Sequence, residues 1–186
     1  MDNILVAFEA LHTMDIRLKG RNGFMAMKLD MSKSYNRIEW PYLEAIMQRL
    51  GFEACWVHLI MTFVRTVSYP VLVNGHPNRK IIHARGIKQG DSLSPYLFIF
   101  SAEGLSSLLL RVEWEGKITG LLIVRGEQRS TSCFSADDSV LFCIVNIQEW
   151  GNIQDVLKVY KGVSGQKLNR DKTSLYFSIN TRQEAI

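Results

Sequence analysis

Two adjacent carboxylates, Asp137 and Asp138, stand in the stretch Ser135-Ala136-Asp137-Asp138-Ser139. Cys133 and Phe134 before it, and Val140, Leu141, Phe142, Ile144 and Val145 after it, have β character. Ala136 to Ser139 therefore predicts a short hairpin turn, although the Asn-Gly signal of the tightest hairpins is missing. Far upstream, Phe24-Met25-Ala26-Met27-Lys28-Leu29-Asp30 is an apolar run too short for a helix. It predicts a buried strand that ends on a third carboxylate, Asp30. Carboxylates converging from a strand end and a hairpin tip are what phosphoryl or nucleotidyl transfer with two magnesium ions requires. The ions bridge the attacking oxygen, the phosphates and the leaving group. Clustered carboxylates repel one another unless cations occupy the space between them. A plainer reading competes. Turns favour Asp on their own account, and spacing alone does not make Asp30 a neighbour of the turn.

The chain that must position these groups has 186 residues, enough for one domain with a substantial core. Its 47% hydrophobic and 22% charged content excludes a disordered chain. A net charge of +4 and a pI near 9.0 permit a polyanionic partner without demanding one. The three cysteines, Cys55, Cys133 and Cys143, form no Cys-x-x-Cys pair and lie in apolar contexts, so they are expected to be buried thiols of a reducing compartment. His12, His58, His76 and His83 lack ligand spacing. With no basic leader and no apolar run of membrane length, an intracellular location is expected, nuclear or cytoplasmic, with no membrane partner.

In chain order, Ile4, Leu5, Phe8, Leu11, Met14 and Leu18 follow Asp2 and Asn3 at helical spacing. After the strand at Asp30, Ile38, Trp40, Leu43, Ile46, Met47 and Leu50 predict a helix stopped by Gly51, and another covers residues 53–67. Val71-Leu72-Val73-Asn74-Gly75-His76 runs into an Asn-Gly hairpin returning through Lys80-Ile81-Ile82-His83. Ser94-Pro95 predicts a helix start with Ser94 as N-cap, leading into an apolar helix through Leu109. Residues 120–124 read as a strand, Gly126-Glu127 as a turn, residues 147–163 as a helix capped near Gly165, and Lys172 to Phe177 as a final strand. The four tryptophans are expected in the core or at interfaces. The fold class is α+β, helices packed over an antiparallel sheet. Its single unit covers residues 1–178, and a polar tail covers 179–186.

Lys28-Leu29-Asp30-Met31-Ser32-Lys33-Ser34-Tyr35-Asn36-Arg37-Ile38-Glu39-Trp40 resembles the first catalytic motif of reverse transcriptases from non-LTR (LINE-type) retrotransposons, in their plant form. Arg85 to Pro95 is similar to their second motif, Phe134-Ser135-Ala136-Asp137-Asp138-Ser139 to the third, and Ser164-Gly165-Gln166-Lys167-Leu168-Asn169 with Lys172 to the fourth. The order is the family's, over roughly residues 3–178. The resemblance implies a polymerase palm with part of the fingers and no thumb. It implies an RNA-directed DNA polymerase working on an RNA template, a DNA primer and deoxynucleoside triphosphates. Asp30 and Asp137 would ligate two magnesium ions, with Asp138 contributing less. Tyr35 would be a steric gate against the ribose 2′-hydroxyl. Gln89 and Gly90 would meet template and nascent pair, where a glycine lets backbone approach closely, and Lys172 would protonate the departing pyrophosphate. Arg79, Lys80, Arg85 and Lys88 cluster where they could track a phosphate backbone.

Three residues depart from the family pattern. Asn36 stands where Asp is usual, Ser92 where Pro is usual, and Ser135 where an aromatic usually supports the primer end. Together they describe a copy drifting under weak selection. The alternative to an active enzyme is then a degenerate retroelement fragment that at most binds nucleic acid weakly. A magnesium-dependent hydrolase with the same carboxylates is a further alternative, one that leaves the second-motif loop and Tyr35 without a task.

Overall fold

The computed structural model describes residues 3–16, 23–74, 76–122, 129–130, 132–134 and 138–181. The elements are α1 (Asn3–Ile16), β1 (Phe24–Asp30), α2 (Ser34–Arg37), α3 (Trp40–Arg49), α4 (Ala54–Thr66), β2 (Ser68–Val73) and β3 (His76–Ile82). They continue with α5 (Ser94–Trp114), β4 (Leu121–Leu122), β5 (Arg129–Ser130), β6 (Ser132–Phe134), β7 (Asp138–Ile144), α6 (Ile147–Ser164) and β8 (Ser174–Phe177).

The run from Phe24 to Asp30 is short and apolar because it is the inner strand of a four-stranded antiparallel sheet, in the order β6-β7-β1-β8. Alternation along β1 divides its side chains between two faces. Met25, Met27 and Leu29 join Leu141 and Cys143 of β7 beneath α5 and α6, where Leu105, Leu109, Ile153, Val156 and Tyr160 complete the main core. Ala26 and Phe142 face the other way and pack on Ala10 and Met14 of α1. A second core joins α3, α4 and α5 through Leu43, Met47, Val57, Met61, Leu97 and Phe98. Tyr42 packs against both cores and donates to the Ser101 carbonyl at 2.6 Å. Burial, with the Tyr160 ring beside it, pushes its phenol far above the usual range, so it stays a neutral donor.

The α+β class and the antiparallel sheet agree with the sequence, and several local expectations are corrected. The helix expected through Ile38 is two pieces. Ile38 and Glu39 lie between α2 and α3 in extended conformation, their backbone groups taken by other elements. Ser94 is the first residue of α5 and not its cap. The N-cap is Leu93, which gives no side-chain cap; its own N–H is held by the Asp91 carboxylate at 2.9 Å in an Asx turn that leads into the helix. The final strand begins at Ser174, because the Lys172 and Thr173 N–H groups both turn back to the Asn169 carbonyl. Cys143 is buried as expected, its thiol pushed up to about 12 by burial and the Glu149 carboxylate, but Cys55 is exposed on α4. Trp40 and Trp150 pack into the cores, whereas Trp56 and Trp114 are exposed. Asn74, with φ 52°, makes the expected β2–β3 turn. Residues 178–181 fold back on the start of β1: Ser178 exchanges backbone and side-chain hydrogen bonds with Phe24, and Thr181 fills the space where a Gly23 side chain would be. Residues 182–186 of the expected tail, and the Gly126-Glu127 turn, lie outside the described residues.

Candidate active site

Asp30 ends β1 directly across the ladder from Asp138, the first residue of β7. The strand end and the hairpin that the sequence could not make neighbours are therefore paired. The hairpin itself is present as the β6–β7 register, with Phe134 opposite Ser139. Ser135, Ala136 and Asp137 lie outside the described residues. Asp30 is half-buried, and its carboxylate is anchored on one side only, with Asn169 Nδ2 donating to Oδ2 at 2.9 Å. A carboxylate only accepts, so the amide nitrogen must be the atom that faces it. The Asn169 N–H also donates to the Asp30 carbonyl at 2.9 Å. The second oxygen, Oδ1, makes no hydrogen bond among the described residues. A half-exposed carboxylate with a spare oxygen, across from a second acidic position, is a donor set that suits a hard cation such as magnesium. Among the described residues no three metal-ligating side chains cluster.

The segment after Asp30 is clasped from two sides. On one side the Gly86 N–H donates to the Ile38 carbonyl at 2.8 Å and the Ile87 N–H to that of Tyr35 at 2.9 Å, while Trp40 Nε1 donates back to the Gly86 carbonyl at 2.8 Å. On the other, Glu39 N–H donates to the Ser164 carbonyl at 3.0 Å, Ser32 N–H to that of Lys167 at 2.8 Å, and Gln166 Nε2 to that of Ser34 at 2.8 Å. Met31 and Leu168 form an isolated antiparallel bridge. The first, second and fourth motifs are thus one hydrogen-bonded unit. Lys33 sits at the start of the clasped turn with φ 52° and ψ 48°, a left-handed conformation that costs a non-glycine residue roughly 1–2 kcal/mol.

The clasp closes a cleft of about 240 Å³ lined by Asp30, Met31, Lys33, Ser34, Tyr35, Asn36 and Gln89. Three of the residues expected to act, Asp30, Tyr35 and Gln89, are thereby brought together. The Tyr35 ring is held by stacking on Phe98 of α5, centroids 4.9 Å apart and planes 18° from parallel. Gly90 follows Gln89 with φ +87° and open space where a side chain would be. Lys172 is exposed in the turn after Asn169 and does not line this cleft. On the other side of Gln89 opens a larger cleft of about 680 Å³, to which Trp40, Phe63, Arg85 and Lys88 contribute. Arg85 pairs with Glu39 at 3.3 Å. Asn169 and Gln166 fall within the fourth motif, where the resemblance assigns them no role. Nothing in a separation of 139 residues could have assigned Asn169 to the Asp30 carboxylate.

The family model described as reverse transcriptase (RNA-dependent DNA polymerase) matches residues 2–184. The chain belongs to the reverse transcriptase family. Among relatives, this reverse transcriptase domain is 28% identical over 130 residues to an uncharacterised mitochondrial protein of Arabidopsis thaliana, covering 69% of the chain and 96% of that protein. It is 25% identical over 175 residues to the 149 kDa protein of transposon TX1 from Xenopus laevis, covering 93% of the chain and 12% of that protein. It is 32% identical over 82 residues to the Pol polyprotein of the type-1 retrotransposable element R2 of Popillia japonica, covering 44% of the chain and 13% of the polyprotein. The domain is of the non-LTR retrotransposon type, and it spans only a small part of these two retrotransposon proteins. Its fold is that of the polymerase palm. Telomerase of Candida tropicalis, solved with a fragment of telomeric RNA, superposes with a TM-score of 0.70 at 13% identity over 95% of this chain and 29% of its own. Telomerase of Candida albicans gives 0.68 at 15% identity, over 97% and 31%.

Proposed function

We propose that this reverse transcriptase domain extends a DNA 3′-hydroxyl on an RNA template, using deoxynucleoside triphosphates and two magnesium ions held by Asp30, Asp137 and Asp138. The observation that carries the reading is the cleft that unites Asp30, Tyr35 and Gln89, with Asp30 opposite Asp138 in the ladder. Two acidic positions facing each other across a ladder destabilise it unless a cation lies between. Magnesium there would neutralise triphosphate charge and lower the pKa of the attacking hydroxyl.

The protein groups do the rest. Asn169 holds one Asp30 oxygen, which fixes the carboxylate plane and leaves the other oxygen directed to its ligand. Tyr35, pinned on Phe98, is a rigid wall at the sugar position and crowds a 2′-hydroxyl. Gln89 offers an exposed amide between the two clefts, and the bare backbone of Gly90 admits a base pair at close range. Lys172, exposed at the turn after Asn169, is the proposed proton donor to pyrophosphate. The unit doing this is proposed to span residues 1–178, with 179–186 as its tail. Among the described residues no helix is long and apolar enough to cross a membrane.

Primer extension on an RNA template with magnesium tests the reading. The unmodified chain is expected to extend. Asp30→Ala and Asp137→Ala are each expected to lower the rate by about a thousandfold. Tyr35→Ala is expected to raise ribonucleotide incorporation by about tenfold or more relative to deoxynucleotide. No extension by the unmodified chain, or equal extension by the aspartate variants, sinks the proposal. Strand cleavage without added nucleotides would point to hydrolysis instead.

A further inference from the structure

A groove of about 620 Å³ lies on the helix-covered face of the sheet, between α6 and the segment that carries the fourth motif and β8. Its apolar floor includes Trp150 and Leu157 of α6, Leu168, and Leu175 of the edge strand β8. Lys158 and Lys161, three residues apart and so on one face of α6, rim one wall. Lys167 and Arg170 rim the other. All four cations are exposed, and no Asp or Glu lines the groove; Asp155 and Asp171 are close in sequence but are not part of the wall. Met31 lines both this groove and the Asp30 cleft, so the two adjoin.

We propose that this groove binds the backbone of a single nucleic-acid strand, as a second contact surface adjoining the active cleft. The proposal rests on the reading of the domain as a nucleic-acid polymerase. Four cations on a rim that itself contains no carboxylate complement a row of phosphodiesters. An apolar floor with an indole in it suits bases laid along it, and that pairing of basic rim with aromatic floor is how single strands are held without sequence preference. An acidic peptide would satisfy the rim, but nothing about it would call for continuity with the Asp30 cleft.

The test is fluorescence anisotropy of the full chain with a labelled single-stranded oligonucleotide over a series of salt concentrations, without nucleotides or magnesium. Each phosphate contact contributes about 0.7 to the slope of log affinity against log salt for a single strand. The variant Lys158→Gln/Lys161→Gln/Arg170→Gln is expected to lose about 2 from that slope. A charge-matched control, Arg49→Gln/Arg65→Gln/Arg111→Gln, is expected to keep it. Single Lys158→Gln and Lys161→Gln variants, each losing about 0.7, keep the test open should the triple variant not fold. If the unmodified chain does not bind, the groove and the polymerase reading fall together. If it binds but the groove variants keep its slope, or the control loses as much, only the groove is overturned, and primer extension still stands. Equal binding of poly-glutamate with the same slope loss would also overturn it, because the groove would then take anions without regard to bases.

Discussion

The segment between Asp30 and Trp40 is held by two glycine-bearing loops that differ in structure. The fourth-motif side is sealed. Ser164 and Gln166 are 0% and 1% exposed, and Gly165, at φ +76°, lies so close to Arg37 that an added Cβ would sit 2.5 Å from its carbonyl oxygen. The second-motif side makes its two backbone bonds through Gly86 and Ile87 and then opens, with Lys88, Gln89 and Gly90 all exposed. Both sides carry a crowded glycine at positive φ where they meet the segment, Gly165 against Arg37 and Gly86 against Asn36, and only the second-motif side runs on to a glycine in open space, Gly90. The difference separates two tasks. The fourth motif fixes Asp30, and the second ends in an exposed edge, where the proposed template contact would lie.

The glycines give the largest contrast. Gly165→Ala adds left-handed strain to a collision with backbone that cannot yield, and is expected to cost about 3 kcal/mol. Gly90→Ala meets only the strain, about 1 kcal/mol, because nothing lies within 4 Å of its Cβ. Urea denaturation of the two variants measures both. Equal losses would break the comparison. In primer extension the order is expected to reverse once each folded fraction is allowed for, since Gly90 is proposed to touch the nascent pair.

Asn169 and Gln89 sharpen it further. Asn169→Leu removes the only described hydrogen bond to the Asp30 carboxylate and is expected to lower kcat about tenfold, with nucleotide KM little changed. Rescue by raised magnesium would identify Asn169 as a positioning residue, because a merely structural defect would not respond to the ion. Gln89→Ala, at an exposed position, is expected to leave stability within about 0.5 kcal/mol while raising KM. If Gln89→Ala instead unfolds the chain, the open side is not open.

Much of this was legible in the residues because it rests on short-range periodicity. The burial of β1, the Asn74 turn and the Gly165 cap all follow from rules that act within a few residues. What escaped depends on groups far apart in the chain. The break at Ile38-Glu39 exists because Gly86 and Ser164, 46 or more residues away, claim their backbone groups. Ser94 met every local condition for an N-cap, yet the helix starts at it, with Leu93 as N-cap behind an Asx turn from Asp91. Lys172 read as strand because a lysine before a β-rich run usually is; the Asn169 carbonyl turned it outward. For the candidate site the residue types were visible and their meeting was not. Nothing short of the β1–β7 register sets Asp30 opposite Asp138.

The smallest expected effect tests what the sealed side is sealed by. Gln166 is buried, with Nε2 bonded to the Ser34 carbonyl and Oε1 among the buried atoms that have no partner. Gln166→Met keeps the length and apolar stem, loses one hydrogen bond, and removes one unpaired polar atom. A lost hydrogen bond costs about 1 kcal/mol and an unpaired buried oxygen costs a similar amount, so the two nearly cancel. Urea denaturation is expected to find a change below about 0.5 kcal/mol. A large loss would mean that the clasp depends on this one side chain. No loss would assign its strength to the backbone bonds donated by Ser32, Glu39 and Asn169, which only a proline, by deleting the N–H, can remove. The fourth motif would then owe its place to chain path more than to side-chain chemistry, and Asn169, not Gln166, would be the member of the clasp that acts on Asp30.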